Sequence, residues 1–269
     1  MKSGFITRVA LLSLAVATLT LGACKKDKNP DPTPVPAAKK LSSVEENGLR
    51  TAALEYNADG TVKKMYVSYN PGVTNEFAFT YDAQKRILEV TTNQGIKSKY
   101  VYENNALKLT ENFDNNVKIS ENNFAYENGR VKSNTLFSPF PKPDGSILYK
   151  PTFRTVYHYF ANGALQKIST YILSGPGGDL ELAGESTYEA YDNKKNPLAV
   201  ISDFSQALTY LPISANNPLI EKMYDAAGQL EETTTHEYTY DASGYPVTVK
   251  TTVTSTGSAP TVINTKFNY

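Results

Sequence analysis

From Leu41 onward, aromatic and aliphatic residues fall on alternate positions in short runs. Each run ends at a Tyr-Asp or Tyr-Asn pair, a short turn usually containing Gly, and then an aliphatic residue. The clear copies are Tyr56-Asn57-Ala58-Asp59-Gly60-Thr61-Val62, Tyr224-Asp225-Ala226-Ala227-Gly228-Gln229-Leu230 and Tyr240-Asp241-Ala242-Ser243-Gly244. Weaker copies begin at Tyr81, Tyr102, Tyr126, Tyr159 and Tyr191. Early copies are 21 to 25 residues apart, enough for two strands and two turns. Alternation places Val247, Val249 and Val253 on one strand face and Thr248, Lys250 and Thr254 on the other.

The turn chemistry sharpens this pattern. Asp225 at the first position of a type I turn can accept from nearby backbone N–H groups, and Gly228 supplies the left-handed residue of a bulged hairpin. After several turns the aliphatics sit three apart, as in Val62/Met65, Ile87/Val90 and Leu165/Ile168. A strand has a period of two, so a bulge just after the turn is predicted, and it would bend the sheet. The tyrosines read first as cross-strand packing on one face and second as a binding platform.

Two segments interrupt the repeats. Ser138 to Pro151 is rich in proline and reads as a loop. Leu198 to Leu219 lacks the hairpin pattern yet carries many apolar residues, and 198–209 fits one short helix. An apolar plug on the concave face of the sheet is expected there, with a lid over a ligand groove as the competing reading. Phe204, Tyr210, Asn216 and Asn217 are its candidate groove or plug residues. The predicted fold is one all-β domain over 41–269, a curved antiparallel meander of repeated β-hairpins or an open barrel, with this plug near 198–219.

The N-terminus is an address. Lys2 and Arg8 precede a 13-residue apolar run, Val9 to Leu21. That is shorter than the ~20 residues of a membrane-spanning helix and fits a secretory signal. The run ends in Leu21-Gly22-Ala23-Cys24, which resembles a bacterial lipobox. The resemblance implies cleavage after Ala23, giving a signal peptide of residues 1–23, and lipidation of Cys24, the chain's one cysteine. Acyl chains stabilise anchoring by about 0.8 kcal/mol per buried CH₂. Residues 24–40 form the lipidated Cys and a Pro-rich tether. Alternate prolines from Pro30 to Pro36 favour polyproline II, so the segment from Lys25 to Lys40 would reach ~50 Å at 3.1 Å per residue. Lys25 after the cysteine resembles outer-membrane sorting, which leaves periplasmic and surface exposure both open.

The copies from Tyr81 to Val131 resemble the Tyr-Asp (YD) repeats of large bacterial shell-forming proteins, over a local stretch only. The segments Tyr191 to Leu198, Ser214 to Leu219 and Glu237 to Pro246 resemble uncharacterised lipoproteins of Bacteroidota-type bacteria. That resemblance implies location and fold and carries no activity.

Composition closes off several classes of function. The 269 residues hold 27 Lys+Arg and 27 Asp+Glu, and loss of Lys2 and Arg8 with the signal leaves 25 against 27, or −2. This gives no basis for nucleic-acid binding, which needs a clustered basic surface. One cysteine excludes an intramolecular disulfide framework and a zinc ribbon. His158 and His236 have no ligand partner at metal spacing, and both read as polar strand residues. No nucleophile elbow, S-x-x-K motif or phosphate loop is present. The expected function is therefore a non-catalytic binding or scaffolding lipoprotein of the outer membrane, with no cofactor, no metal and no catalytic residue. Its partners are the membrane, through the lipid anchor, and an envelope protein or glycan. A glycan-binding accessory protein and a hydrolase assembled from distant loops are the alternatives.

Overall fold

The computed structural model describes residues 39–70, 72–175, 178–202, 204–205 and 213–269. Ala23, Cys24, the tether up to residue 38 and Tyr210 lie outside the described residues. The strands are β1 (Ser43–Glu46), β2 (Leu49–Tyr56), β3 (Val62–Asn70), β4 (Val73–Tyr81), β5 (Ile87–Thr92) and β6 (Ile96–Glu103). They continue as β7 (Ala106–Asp114), β8 (Val117–Glu127), β9 (Arg130–Pro141), β10 (Ile147–Tyr159) and β11 (Leu165–Leu173). The last are β12 (Leu180–Lys195), β13 (Asn216–Asp225), β14 (Leu230–Tyr240), β15 (Pro246–Ser255) and β16 (Thr261–Asn268). Each pairs antiparallel with its sequence neighbours, and β1 pairs β16 with Val44 opposite Phe267. The meander is therefore closed, and the open edges that an open barrel would keep are absent from the described sheet.

The repeat explains the two rims. The turns after β2, β4, β6, β8, β10 and β14 follow the Tyr-Asp-type pairs and lie at one end, here the YD rim. The Tyr224-Asp225 copy joins β13 to β14 and lies at the opposite rim. Asp225 Oδ1 accepts from the N–H groups of Ala227 (2.9 Å) and Gln229 (2.7 Å), and Gly228 has φ 78°. Asp241 accepts likewise from Ser243 and Tyr245. At each YD turn the register slips by one residue: Tyr56 faces Val62 while Glu55 faces Lys64, and Tyr81 faces Ile87 while Thr80 faces Glu89. The same slip follows Tyr102, Tyr126, Tyr159 and Tyr240. The three-residue spacing of the aliphatics is thus a bulge, which keeps both aliphatics facing inward. Val247 is skipped in this way, so only Val249 and Val253 keep the predicted alternation.

The tyrosines are staples. Tyr56 donates its hydroxyl to Leu41 O (2.7 Å), Tyr81 to Val62 O (2.7 Å) and Tyr126 to Leu107 O (3.0 Å). Tyr159 donates to Val131 O (2.8 Å), Tyr191 to Leu165 O (2.9 Å) and Tyr269 to Pro246 O (2.8 Å). Three of these acceptors, Val62, Leu165 and Pro246, begin a strand at the YD rim, and Val131 is the second residue of β9 there. Turns join β2 to β3 and β4 to β5 there, and Tyr81 ties β3 to β4 between them. Burial pushes the hydroxyls of Tyr81, Tyr159 and Tyr191 up to about 12.

One expected loop is a strand pair. Residues 138–141 belong to β9 and 147–151 to β10, with Pro139 opposite Tyr149 and Pro141 opposite Ile147. The β8 pairing ends at Glu121–Phe137 and the β11 pairing at Phe153–Ile172. Beyond those pairs the β9–β10 hairpin projects as a ribbon with two free flanks, where a proline costs no ladder bond.

The core is inside the barrel. Leu54, Met65, Phe77, Phe79, Val90, Tyr100, Leu107, Phe124, Val249 and Phe267 form one buried cluster. Tyr157, Leu165, Ile168 and Tyr188 form a second one.

Candidate functional site

The connection from β12 to β13 enters the barrel at the YD rim. It forms a 3-10 helix at Pro197–Ile201 and remains helical at Ser202, Phe204 and Ser205, a shorter described helix than the 198–209 expected. Asn196 caps it by accepting from Leu198 N at 3.0 Å, and Pro197 fits the first helical position. Phe204 is 4 % exposed, with its ring edge-on to Phe77 and Phe79, centroids 5.1 Å from each. Phe77 and Phe79 lie on β4, eight places from β12 around the ring of sixteen. The segment therefore spans the barrel from wall to wall. It is a plug.

Asp192, the acid of the Tyr191-Asp192 copy, holds the two ends of this plug together. In the copies with Asp82, Asp225 and Asp241 that position caps a short turn; here it caps a long insertion. Asp192 accepts from Lys194 N (2.9 Å), Asn217 N (3.1 Å) and Asn217 Nδ2 (2.9 Å), and the Tyr240 hydroxyl donates to its second oxygen. Burial and this hydrogen bond to a carboxylate both push the Tyr240 hydroxyl well above its ordinary value. Asn217 is buried, and Asn216 Nδ2 donates to Lys194 O at 3.0 Å. Phe204, Asn216 and Asn217 thus build and fasten the plug, and Asn217 also lines the cavity beside it.

Between plug and wall lies a chamber of about 180 Å³. Tyr188, Tyr191, Tyr238 and Phe267 supply aromatic wall, Leu198 and Ile213 come from the plug side, and Glu221 lies in the lining. Glu221 faces inward because it stands opposite Tyr188, whose side chain belongs to the core. Its Oε1 lies 3.3 Å from His236 Nε2, and His236 Nδ1 lies 3.0 Å from Thr251 Oγ1. Burial, with the Glu221 charge second, raises the hydroxyls of Tyr188 and Tyr238 far above their ordinary value. A deprotonated tyrosine would there be both desolvated and repelled.

Glu221 and His236 were not legible as a pair, since they sit 15 residues apart on neighbouring strands. One signal did exist: His236, Tyr238 and Tyr240 share strand parity, so His236 lies on the tyrosine face. His236 is a polar strand residue on the inner face of β14, and His158 is an exposed one on β10. Among the described residues no three His, Cys, Asp or Glu converge as a metal site. A second cleft, about 400 Å³, opens at the YD rim among Asp59, Lys85, Ile87 and Val200. It lies between the turns after β2 and β4 and the plug helix, with Val62, Tyr81, Ala199 and Ser202 also in its lining.

The outer wall has opposite chemistry. Charged residues alternate with buried ones and pair between neighbouring strands: Lys64–Glu76 (2.5 Å), Lys97–Glu89 (3.6 Å), Lys118–Glu111 (2.8 Å) and Lys167–Glu185 (2.9 Å). The series continues with Lys222–Glu189 (2.7 Å), Lys250–Glu237 (2.9 Å) and Lys266–Glu45 (4.0 Å), so these pairs recur around the barrel, with none of them on β2, β9 or β10.

No family model matches the chain, and no curated protein does. Solved structures do. A porin-like protein from Bacteroides uniformis aligns with TM-score 0.54 at 14% identity, over 85% of this chain and 96% of its own. A porin-like protein from Bacteroides vulgatus aligns with TM-score 0.55 at 13% identity, over 86% and 99%. The barrel shares their fold.

Proposed function

We propose that the chain is an outer-membrane lipoprotein whose plugged barrel stands in water, held by lipidated Cys24, and works by binding rather than by catalysis or conduction. The observation that carries this reading is the recurrence of Lys–Glu pairs between neighbouring strands on the outer wall. A membrane-spanning barrel presents an apolar band about 25 Å tall to lipid, flanked by aromatic girdles, and each charge at mid-bilayer costs roughly 2–4 kcal/mol for Lys or Arg. Here the apolar face is turned inward and the charged face outward. The plug occupies the space a channel would need. The envelope location draws support from the signal and lipobox, and from the shared fold with porin-like Bacteroides proteins.

A binding role is favoured over hydrolysis by the acids of the interior. Asp192 spends its oxygens on four donors. The chamber lining contains Glu221 and no second carboxylate, whereas glycoside hydrolysis uses a pair.

Fractionation of cells expressing the wild type and Cys24→Ala tests the anchor. The wild type should pellet with membranes and resist high salt, while Cys24→Ala should appear in the soluble fraction. Retention of Cys24→Ala in membranes, extractable by detergent alone, would mean that the barrel wall itself contacts lipid.

A further inference from the structure

We propose that the chamber beneath the plug is a binding site for a compact organic cation of the alkylammonium or trimethylammonium class. The proposal rests on the binding role above for its biological use, but its physical basis is the chamber alone. Size is the first argument. At about 180 Å³ the chamber lies below the roughly 300–1,000 Å³ of drug-sized sites, so its occupant is a compact group and not an oligosaccharide.

Charge is the second argument. The Lys–Glu pairs of the outer wall are each matched by an opposite charge, whereas Glu221 faces inward. No Lys or Arg lines the chamber, and the neighbour of Glu221 on the protein side is His236, itself bonded onward to Thr251. Glu221 keeps 30% of its side chain exposed and has His236 as its neighbour at 3.3 Å, so a carboxylate beside aromatic rings is open to a cationic guest and not to an anionic one.

Wall chemistry is the third. Tyr188 and Tyr191 are stacked with centroids 6.2 Å apart, and Tyr238 stacks on Tyr240 at the same spacing. Ring faces beside a carboxylate are the elements that recognise a quaternary ammonium, through the negative potential of each ring face. Polyols would also stack on tyrosine, but a carboxylate in a lining that holds no Lys or Arg gives them no advantage over a cation.

Choline and its neutral carbon isostere 3,3-dimethyl-1-butanol separate these cases. Both are titrated into the full-length lipoprotein in non-ionic detergent, read by calorimetry and by ligand-observed NMR, with glucose as a third probe. Choline should bind saturably and at least about tenfold more tightly than the isostere. Glu221→Gln, nearly isosteric, should bring choline down to the level of the isostere and leave the isostere unchanged. Tyr238→Phe should retain choline binding, because the ring face is kept, and provides a second variant should Glu221→Gln not fold. Equal binding of choline and isostere, tighter binding of glucose, undiminished choline binding by folded Glu221→Gln, or loss of choline in folded Tyr238→Phe would each overturn the proposal. No binding of any probe to folded protein would also overturn it. The Cys24 fractionation does not depend on the probes, so failure of the ligand class and failure of the anchored-binder reading can be told apart.

Discussion

Substitution Phe204→Ala tests whether the plug is held by its own contacts or only as part of the barrel. The ring is 4 % exposed and meets two phenylalanines edge-on at 5.1 Å. Phe→Ala at a buried site costs about 3–5 kcal/mol, and edge contacts of this kind supply about 0.5–1.5 kcal/mol each within that sum. None of the strand ladder is touched, because the sixteen-strand register closes without the plug. The loss should therefore fall on the docked-to-undocked equilibrium of the plug. At about 3 kcal/mol, the undocked fraction rises on the order of 100-fold. Hydrogen exchange followed by mass spectrometry separates the two regions. Amides of residues 198–202 should lose protection by about that factor, while amides of β4 and β16 keep theirs. If plug and strands lost protection in step, or if the plug amides were unchanged, the plug would not be a separately docked element and the reasoning would fail.

Tyr81→Phe removes one staple and leaves Val62 O without it, at a cost of about 1 kcal/mol, measurable as a lowered denaturant midpoint at unchanged slope. Asp192→Asn keeps the shape but removes the charge that receives Asn217 and Tyr240. It should loosen the plug by about 1.5–3 kcal/mol, read by the same exchange experiment, and lower the Tyr240 hydroxyl toward its ordinary value. Stability should also fall at high pH. The hydroxyls of Tyr81, Tyr159 and Tyr191 are raised by burial to about 12 in the folded state, against about 10 when unfolded. Their contribution is complete below about pH 10 and disappears as pH climbs through about 12, so tyrosinate absorbance should appear together with loss of the native circular dichroism. At the acid end, hydrogen bonds from Ser169 and Lys167 hold Glu185 below the usual carboxylate range. Glu121 is held low by Lys118 and Asn123 although burial opposes it. Both contributions are present above the unfolded carboxylate value and are lost on acidification, which a pH series of thermal melts would register.

Much of this barrel was legible because its information is local. Tyr, Asp and Gly at fixed offsets specify a turn, and aliphatics three apart specify a bulge, so the hairpins and their slips could be read copy by copy. The plug was legible for the same reason: Leu198, Ile201 and Phe204 have no alternation and too much apolar surface for a loop. Closure was not legible. Whether Val44 meets Phe267 depends on twist and register accumulated over every intervening strand, and no single residue encodes that sum. Prolines misled at 138–151, because their exclusion from strands holds only where a neighbour needs the missing N–H. The chamber was hidden for a related reason. Glu221 is one charged residue among many in the sequence, and only the pairing with Tyr188 turns it inward.

The staples and the plug together set a rule for how such a barrel can grow. A duplicated pair of strands would bring its own turn, bulge and tyrosine, and could be spliced into the ring without new chemistry at the seam. It would also widen the ring, and Phe204 would then no longer reach Phe77 and Phe79. The plug thus acts as an internal gauge. Repeats that could be multiplied freely are fixed at one circumference by the reach of a single loop.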